Sequence, residues 1–381
     1  EFDMSSHEDI ACRHGPGAVA ENLKSNQKWS ELWTKISSGL SQTLDIGYDI
    51  FGLSDGRVLS SRTSSNNITN ASETQHSVPS GRIAKLISVP KNSTSRRTIT
   101  IEPCEKQFIQ QGYNKVLRDS ISQCFILRNC LALTSQYENQ VLALEGSLSD
   151  TWATIDLKSA SDLLSCRLVS LVFKHFPLFL EGLFGCRSQY VTDGKTPYCI
   201  EKYAGMGNAT TFPVQSVVFA VLAIAAIVDD GRSIPSFWKL RRASRCVRVF
   251  GDDIIIKTEY AHTVVNWLSN AGLIVNVKKS FLNGNFKESC GVDAFRGVDV
   301  TPRYVRHRPE LSSTEASDIA GLVSLSNLFW LDGDYEPSEL LRLTVEKRLG
   351  ISLPLVSRNS SSLGWHSRID AMDQHGWDNR L

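Results

Sequence analysis

Two adjacent carboxylates, Asp252 and Asp253, stand at the tip of an apolar hairpin pattern, VRVFGDDIIIK at residues 247–257, and a third, Asp156, closes the apolar stretch WATID much earlier in the chain. Neighbouring acids repel one another and lose hydration where a turn packs down, so such a set is hard to account for without a cation. Oxygen donors with no His or Cys beside them suit Mg2+, which keeps several waters and takes further ligands from substrate phosphates. Carboxylates from separate strands can hold two ions about 3.5–4 Å apart, one lowering the pKa of an attacking hydroxyl and one neutralising a leaving pyrophosphate. A GDD triplet alone recurs by chance; the third acid, arriving on a strand of its own, gives the pattern its weight.

Those acids need elements to hold them. Val247 and Val249 alternate with Arg248 and Phe250, and residues 254–256 are a β-branched run, which predicts two strands joined by a turn that Gly251 relieves. In WATIDLKSASD (152–162) an apolar strand delivers Asp156 at its C-terminal end. Leu164, Leu168, Leu171 and Val172 then fall at helical spacing, predicting a turn at 158–161 and an amphipathic helix. Residues 203–230, YAGMGNATTFPVQSVVFAVLAIAAIVDD, read as a glycine loop entering a helix near Thr211 with Pro213 in its first turn. The apolar run at 217–228 is shorter than the roughly 20 residues that span a bilayer, so a buried core helix and no membrane contact are expected. In the loop, Gly205 and Gly207 allow close backbone approach to a ligand, and Asn208, Thr210 and Thr211 offer polar groups suited to a ribose or a template base pair.

Positive charge is local, not global. The formal net charge is +1, yet residues 74–101 carry Arg82, Lys85, Lys91, Arg96 and Arg97 without an acid, and residues 231–251 carry Arg232, Lys239, Arg241, Arg242, Arg245 and Arg248 without one. Such windows fit a phosphate backbone or a triphosphate. With 381 residues and 41% hydrophobic content, the chain can bury a substantial core in two or three subdomains. Its nine cysteines include no CxxC pair, which predicts reduced thiols and no structural zinc. Glycosylation-type triplets at Asn67, Asn70, Asn92 and Asn208 are read as chance matches, since no signal peptide is evident. The polar stretch at 54–81 reads as a surface loop, and a second at 357–364 precedes a tail with Trp365 and Trp377 suited to packing.

Taken in order, SVPKNSTSRR, WATIDLKSASD, GMGNATTF, FGDD, NVKKSF (276–281) and NFKESCG (285–291) resemble motifs F, A, B, C, D and E of a palm-domain RNA-dependent RNA polymerase. More narrowly, IEP followed by LRDSI, ENQVLALEGSLSD before the first acidic strand, FKESCG followed by GVDVTPRYVRHRP, and HGPGA at 14–18 are similar to the replicases of single-stranded RNA bacteriophages, the levivirus group. The likeness runs from about residue 14 to 309 with the order intact.

The resemblance implies an α+β right-hand polymerase: fingers in about residues 1–150, a palm at 151–290 with a fingers insertion around 175–203, an antiparallel palm sheet flanked by helices, and a thumb and C-terminal tail at 291–381. It implies that Asp156 and Asp252 ligate two Mg2+ ions, or Mn2+ as a substitute, with Asp253 and the Leu157 carbonyl assisting. Lys91, Arg96 and Arg97 would hold the nucleoside triphosphate, Arg97 foremost. Asp162, with Asn208, Thr211 or Gln215, would read the ribose 2′-hydroxyl; Gly205 and Gly207 would lie along the template; Lys278 or Lys279 would protonate pyrophosphate. Implied partners are a single-stranded RNA template, NTPs, host elongation factors Tu and Ts and a ribosomal protein, in the bacterial host cytoplasm. Ala209 stands where the family often has a second glycine, and Pro213 where an acid is usual. A start at Glu1-Phe2-Asp3 with little chain before HGPGA suggests a truncated N-terminal fingers region. A reverse-transcriptase-like palm and a non-catalytic RNA-binding relative are the competing readings.

Overall fold

The computed structural model describes residues 10–24, 26–30, 83–91, 95–230, 234–302, 315–358 and 360–366. The stretch at 54–81, the triplets at Asn67, Asn70 and Asn92, Arg82, Arg232 and Trp377 lie outside them. The chain divides into two compact units, Glu1–Thr301 and Pro302–Leu381.

In the first unit, β1 (Ala84–Pro90) and β2 (Arg96–Ile101) form a hairpin with Val89 opposite Arg97. Helices α1 (Cys104–Gln123) and α2 (Tyr137–Ser149) follow, then β3 (Trp152–Ile155) and β4 (Leu157–Lys158). Next come α3 (Cys166–Phe173), α4 (Pro177–Cys186), β5 (Tyr190–Thr192) and β6 (Pro197–Cys199). Helices α5 (Thr211–Asp230) and α6 (Phe237–Ser244) precede a second hairpin, β7 (Val247–Phe250) and β8 (Asp253–Lys257). Helix α7 (Ala261–Asn270), β9 (Ile274–Val275) and a meander of β10 (Phe286–Ser289), β11 (Val292–Phe295) and β12 (Val298–Asp299) complete it.

The central sheet has the order β3-β8-β7 and is antiparallel throughout, with Trp152 opposite Lys257, Ile155 opposite Ile254 and Phe250 opposite Asp253. Ile254, Ile255 and Ile256 are all buried, so β8 is covered on both faces, as its unbroken β-branched run requires. Helix α2 packs on β3, and α5 packs on β7. The β1–β2 hairpin belongs to a separate sheet of order β2-β1-β5-β6. The HGPG segment lies on α1, where the Gln107 amide donates to Ala18 O at 3.1 Å. Lys28, itself buried, donates to Gly15 O at 2.7 Å and Gly17 O at 2.6 Å.

Two local expectations change. The helix after Asp156 begins only at Cys166, where the Ser165 hydroxyl accepts the Leu168 N–H at 3.2 Å. The turn runs longer because Ser159 adopts φ 49° and Leu164 O accepts the Tyr203 N–H at 2.7 Å, pinning the segment to the glycine loop. Leu168, Val169 and Phe173 face inward, while Leu171 is 60% exposed. Helix α5 is longer than its apolar centre and, by length and composition alone, could cross a membrane. It is instead enclosed by α7, α6, β7, α3 and α1, and 72% of the apolar stretch is buried, which accounts for its composition.

The second unit pairs α8 (Ala316–Asp332) with α9 (Tyr335–Leu349) around Ile319, Leu322, Val323, Val345 and Trp365. Two short strands, β13 (Leu355–Val356) and β14 (Trp365–His366), run parallel beside them. The buried Trp365 donates its indole N–H to Glu346 at 3.1 Å.

Candidate active site

The three acids meet at one end of the central sheet. Because Ile155 pairs with Ile254, the next residue along β3, Asp156, comes level with Asp253 at the start of β8. Gly251 closes the β7–β8 turn at φ +66°, donating its N–H to the Ser216 hydroxyl of α5 at 3.0 Å. A Cβ there would come within 2.7 Å of the Phe212 ring, and Phe212 stacks edge-on against Phe250 at 5.0 Å. The turn therefore needs glycine both for its backbone and for its seat on α5. Asp252 is exposed at the tip, while Asp156 and Asp253 are partly buried.

Their charges sense one another. Burial first, then the Asp252 charge, pushes the Asp253 carboxyl up to about 6 against opposing hydrogen bonds from the Cys290 N–H and thiol. Burial also raises Asp156, opposed by a hydrogen bond from Asn276 and reinforced by Asp252. Burial and the neighbouring Asp253 push the Cys290 thiol up to about 12, so it stays protonated and donates. Asp156 is held firmly: the Asn276 amide donates to Oδ2 at 2.7 Å, the Asn276 N–H to Asp156 O at 2.9 Å, and the Asp156 N–H reaches the Ser280 hydroxyl at 3.1 Å. Asn276, Ser280 and Cys290 went unmarked in the sequence reading. Asn276 and Ser280 lie 120 and 124 residues along the chain from Asp156, and Cys290 lies well beyond Asp253, so only the fold brings them to those carboxylates.

Among the described residues, no three His, Cys, Asp or Glu side chains form a ready metal cage. The donor set nonetheless fits Mg2+, which takes one or two carboxylates and completes its octahedron with water and phosphate. The mutual repulsion of Asp156, Asp252 and Asp253 is what a divalent cation would relieve. Leu157 is buried in β4 opposite Val275, directly after Asp156. Lys279 forms an ion pair with Glu288 at 2.9 Å, which raises its pKa, and its charge reaches Asp156.

The other expected residues spread outward from this point. Lys91, at the tip of the β1–β2 hairpin, donates its N–H to Ser95 O at 2.9 Å. Arg96 turns back to β1, donating to the Ser88 hydroxyl at 2.9 Å and Ser88 O at 2.7 Å, whereas Arg97, on the opposite face, is exposed without a partner among the described residues. Asp162 forms an ion pair with Lys202. Asn208 is buried, its Oδ1 accepting the Thr210 N–H at 2.8 Å and hydroxyl at 2.6 Å, and its amide nitrogen has no partner. Thr211 donates to Gly205 O at 3.0 Å. Gln215 is buried beside the Gly251 turn, with Oε1 unpartnered. A Cβ at Gly205 or Gly207 would overlap Thr100 of β2, so both glycines serve the close approach of the loop to that strand, and Gly205 is itself buried.

The family model for RNA replicase, beta-chain, matches residues 59–315, more than half of the sequence. The chain belongs to the RNA replicase beta-chain family. Against the RNA-directed RNA polymerase subunit beta of Qbeta virus (strain MX1), this chain is 37% identical over 270 residues, covering 70% of itself and 42% of the relative. It is 38% identical over 258 residues to the subunit of Enterobacteria phage SP, covering 67% and 41%. With the RNA-directed RNA polymerase beta chain of Escherichia phage MS2 it shares 34% over 223 residues, covering 58% and 37%. The chain thus spans about two fifths of the length of the curated relatives it matches. A solved structure, the insertion-loop deletion mutant of the RNA-dependent RNA polymerase of a human picorbirnavirus, superposes with a TM-score of 0.45 at 14% identity, over 71% of this chain and 59% of that one.

Proposed function

We propose that this chain carries the catalytic palm of an RNA-directed RNA polymerase, joining templated ribonucleotides to a growing RNA or to a first nucleotide in unprimed initiation. The observation that carries the reading is the convergence of Asp156, Asp252 and Asp253 at the end of β3 and β8. On it we build the right-hand layout, with the β3-β8-β7 sheet as palm, the β1–β2 hairpin in the fingers and the α8–α9 unit as thumb. Asp156 and Asp252, with Asp253 and the Leu157 carbonyl assisting, would hold two Mg2+ ions, which when bound acidify the attacking hydroxyl and neutralise the leaving pyrophosphate.

The chain's own residues do the rest. Asn276 occupies Oδ2 of Asp156 and leaves Oδ1 free to face the substrate. Arg97 offers a free guanidinium to the triphosphate, and Lys91 and Arg96 add charge on the same hairpin. Gln215 and Asn208 bring unpartnered buried polar atoms near the ribose, and Asp162 would read its 2′-hydroxyl on release from Lys202. Lys279, exchanging Glu288 for pyrophosphate, is the better placed of the two lysines to deliver a proton. The single-stranded RNA template and the NTPs are the substrates. The words "subunit beta" in the relatives' names support further subunits, for which the elongation factors Tu and Ts and a ribosomal protein are our reading, in the bacterial cytoplasm. Asp252→Asn is expected to abolish Mg2+-dependent nucleotide incorporation while RNA retention stays nearly intact. Incorporation at the wild-type rate would overturn the assignment.

A further inference from the structure

We infer that α6 is a docking surface for single-stranded RNA, apart from the acidic turn. The helix is capped by Ser236, whose hydroxyl accepts the Lys239 N–H, and turns Ala243 and Ser244 to the core. Its outer face carries Trp238 and, four residues on, Arg242, and Arg245 follows at its C-terminal end, all three exposed. Trp238 is 69% exposed and stands edge-on to Phe237, itself 49% exposed, at 5.4 Å. The Arg241 guanidinium lies 5.5 Å from the Trp238 ring centre.

Among the described residues, nothing buries that face. A tryptophan with most of its surface in water does not stabilise a core, and exposed aromatic patches mark interaction sites. Arg241, Arg242 and Arg245 form no ion pair among the described residues, whereas Arg248, on β7, is paired with Glu138. Glu259 is the acid of the adjoining turn, sharing Cys246 and Tyr260 as neighbours with Arg242, and one carboxylate leaves an excess of positive charge.

Flat rings interleaved with guanidinium groups match a single strand, whose bases stack without regard to sequence while its phosphates take the charge. The helix ends just before β7 begins, and β7 runs its full length before reaching the acidic turn. From the C-terminal end of α6 the strand covers roughly 13 Å to the acidic turn, which makes RNA on α6 a second contact on a long template.

The test uses the full chain and labelled oligouridylates, one of about 8 nucleotides and one several times longer, in fluorescence anisotropy over a range of salt. Trp238→Ala is expected to weaken binding of the long oligomer about tenfold, and Trp238→Phe to restore most of it. Arg242→Gln with Arg245→Gln is expected to reduce the slope of log K against log salt by about 1.4. Binding of the short oligomer should change little. Wild-type affinity and slope in both variants, with circular dichroism unchanged, would overturn the proposal. So would loss of binding to anionic phospholipid vesicles with RNA binding untouched. Asp252→Asn should bind like wild type in this assay, so failure here is distinguishable from failure of the catalytic reading.

Discussion

On the proposed function Asp156 has to present one particular oxygen to a cation, and Asn276 would make that choice. Its amide ties down Oδ2 at 2.7 Å while its backbone N–H grips the Asp156 carbonyl at 2.9 Å, so one residue fixes both rotamer and strand end. Outer partners of metal ligands typically change metal affinity about 10–100-fold when lost. Asn276→Ala should accordingly raise the Mg2+ concentration for half-maximal incorporation about tenfold, with a smaller effect on thermal stability. An unchanged Mg2+ titration would remove Asn276 from the machinery. Asp253 carries a different signature. Its carboxyl, ordinarily at 3.8, is pushed up to about 6, first by burial and then by Asp252, so the folded chain holds that proton more tightly than the unfolded one. The sign follows from linkage: this stabilising contribution is full below pH 3.8 and is lost as pH rises through about 6. In metal-free buffer, Asp253→Asn should therefore gain melting temperature relative to the parent, and the gain should be larger at neutral pH than near pH 5. A gain independent of pH would show that Asp253 is not held in this way.

Strand alternation decides which basic residues of the β1–β2 hairpin can act. Arg96 and Arg97 are neighbours in sequence and look equivalent there, but β2 sends them to opposite faces, and only Arg96 finds Ser88. Arg97→Ala should raise the KM for NTP about tenfold, the value of a lost charge-assisted hydrogen bond. Arg96→Ala should change it much less, and steady-state titration of both variants reads the contrast; equal effects would contradict the separation by face. Much at this scale was legible beforehand. The alternation of Val247 and Val249 and the run at 254–256 located β7 and β8, Gly251 located the turn, and Thr211 located the start of α5, because each signal is local. The start of α3 was not legible, since Leu164 is drawn out of helical register by a hydrogen bond from Tyr203 across the glycine loop. Nor was the seat of Gly205 and Gly207, whose missing side chains make room for Thr100 of another sheet. Local periodicity carries no information about a partner a hundred residues away.

Across the whole molecule, cohesion is divided. The first unit has a continuous core running from Tyr113 of α1 through Ile254 and Ile256 of β8 to the α5 and α7 helices. Among the described residues of the second, Ile319, Leu322, Val323, Val345 and Trp365 form a small buried cluster, of which Trp365 is the largest member and the one that closes it from β14. Trp365 also donates its indole N–H to Glu346. A large-to-small change at such a site typically costs about 3–5 kcal/mol, and the loss falls on a core too small to absorb it. Trp365→Ala should thus strip hydrogen-exchange protection from the amides of α8 and α9 while those of β3 and β8 stay protected, because opening is confined to the unit that lost its packing. Uniform loss of protection through Ile254–Ile256 would mean that the two units unfold as one.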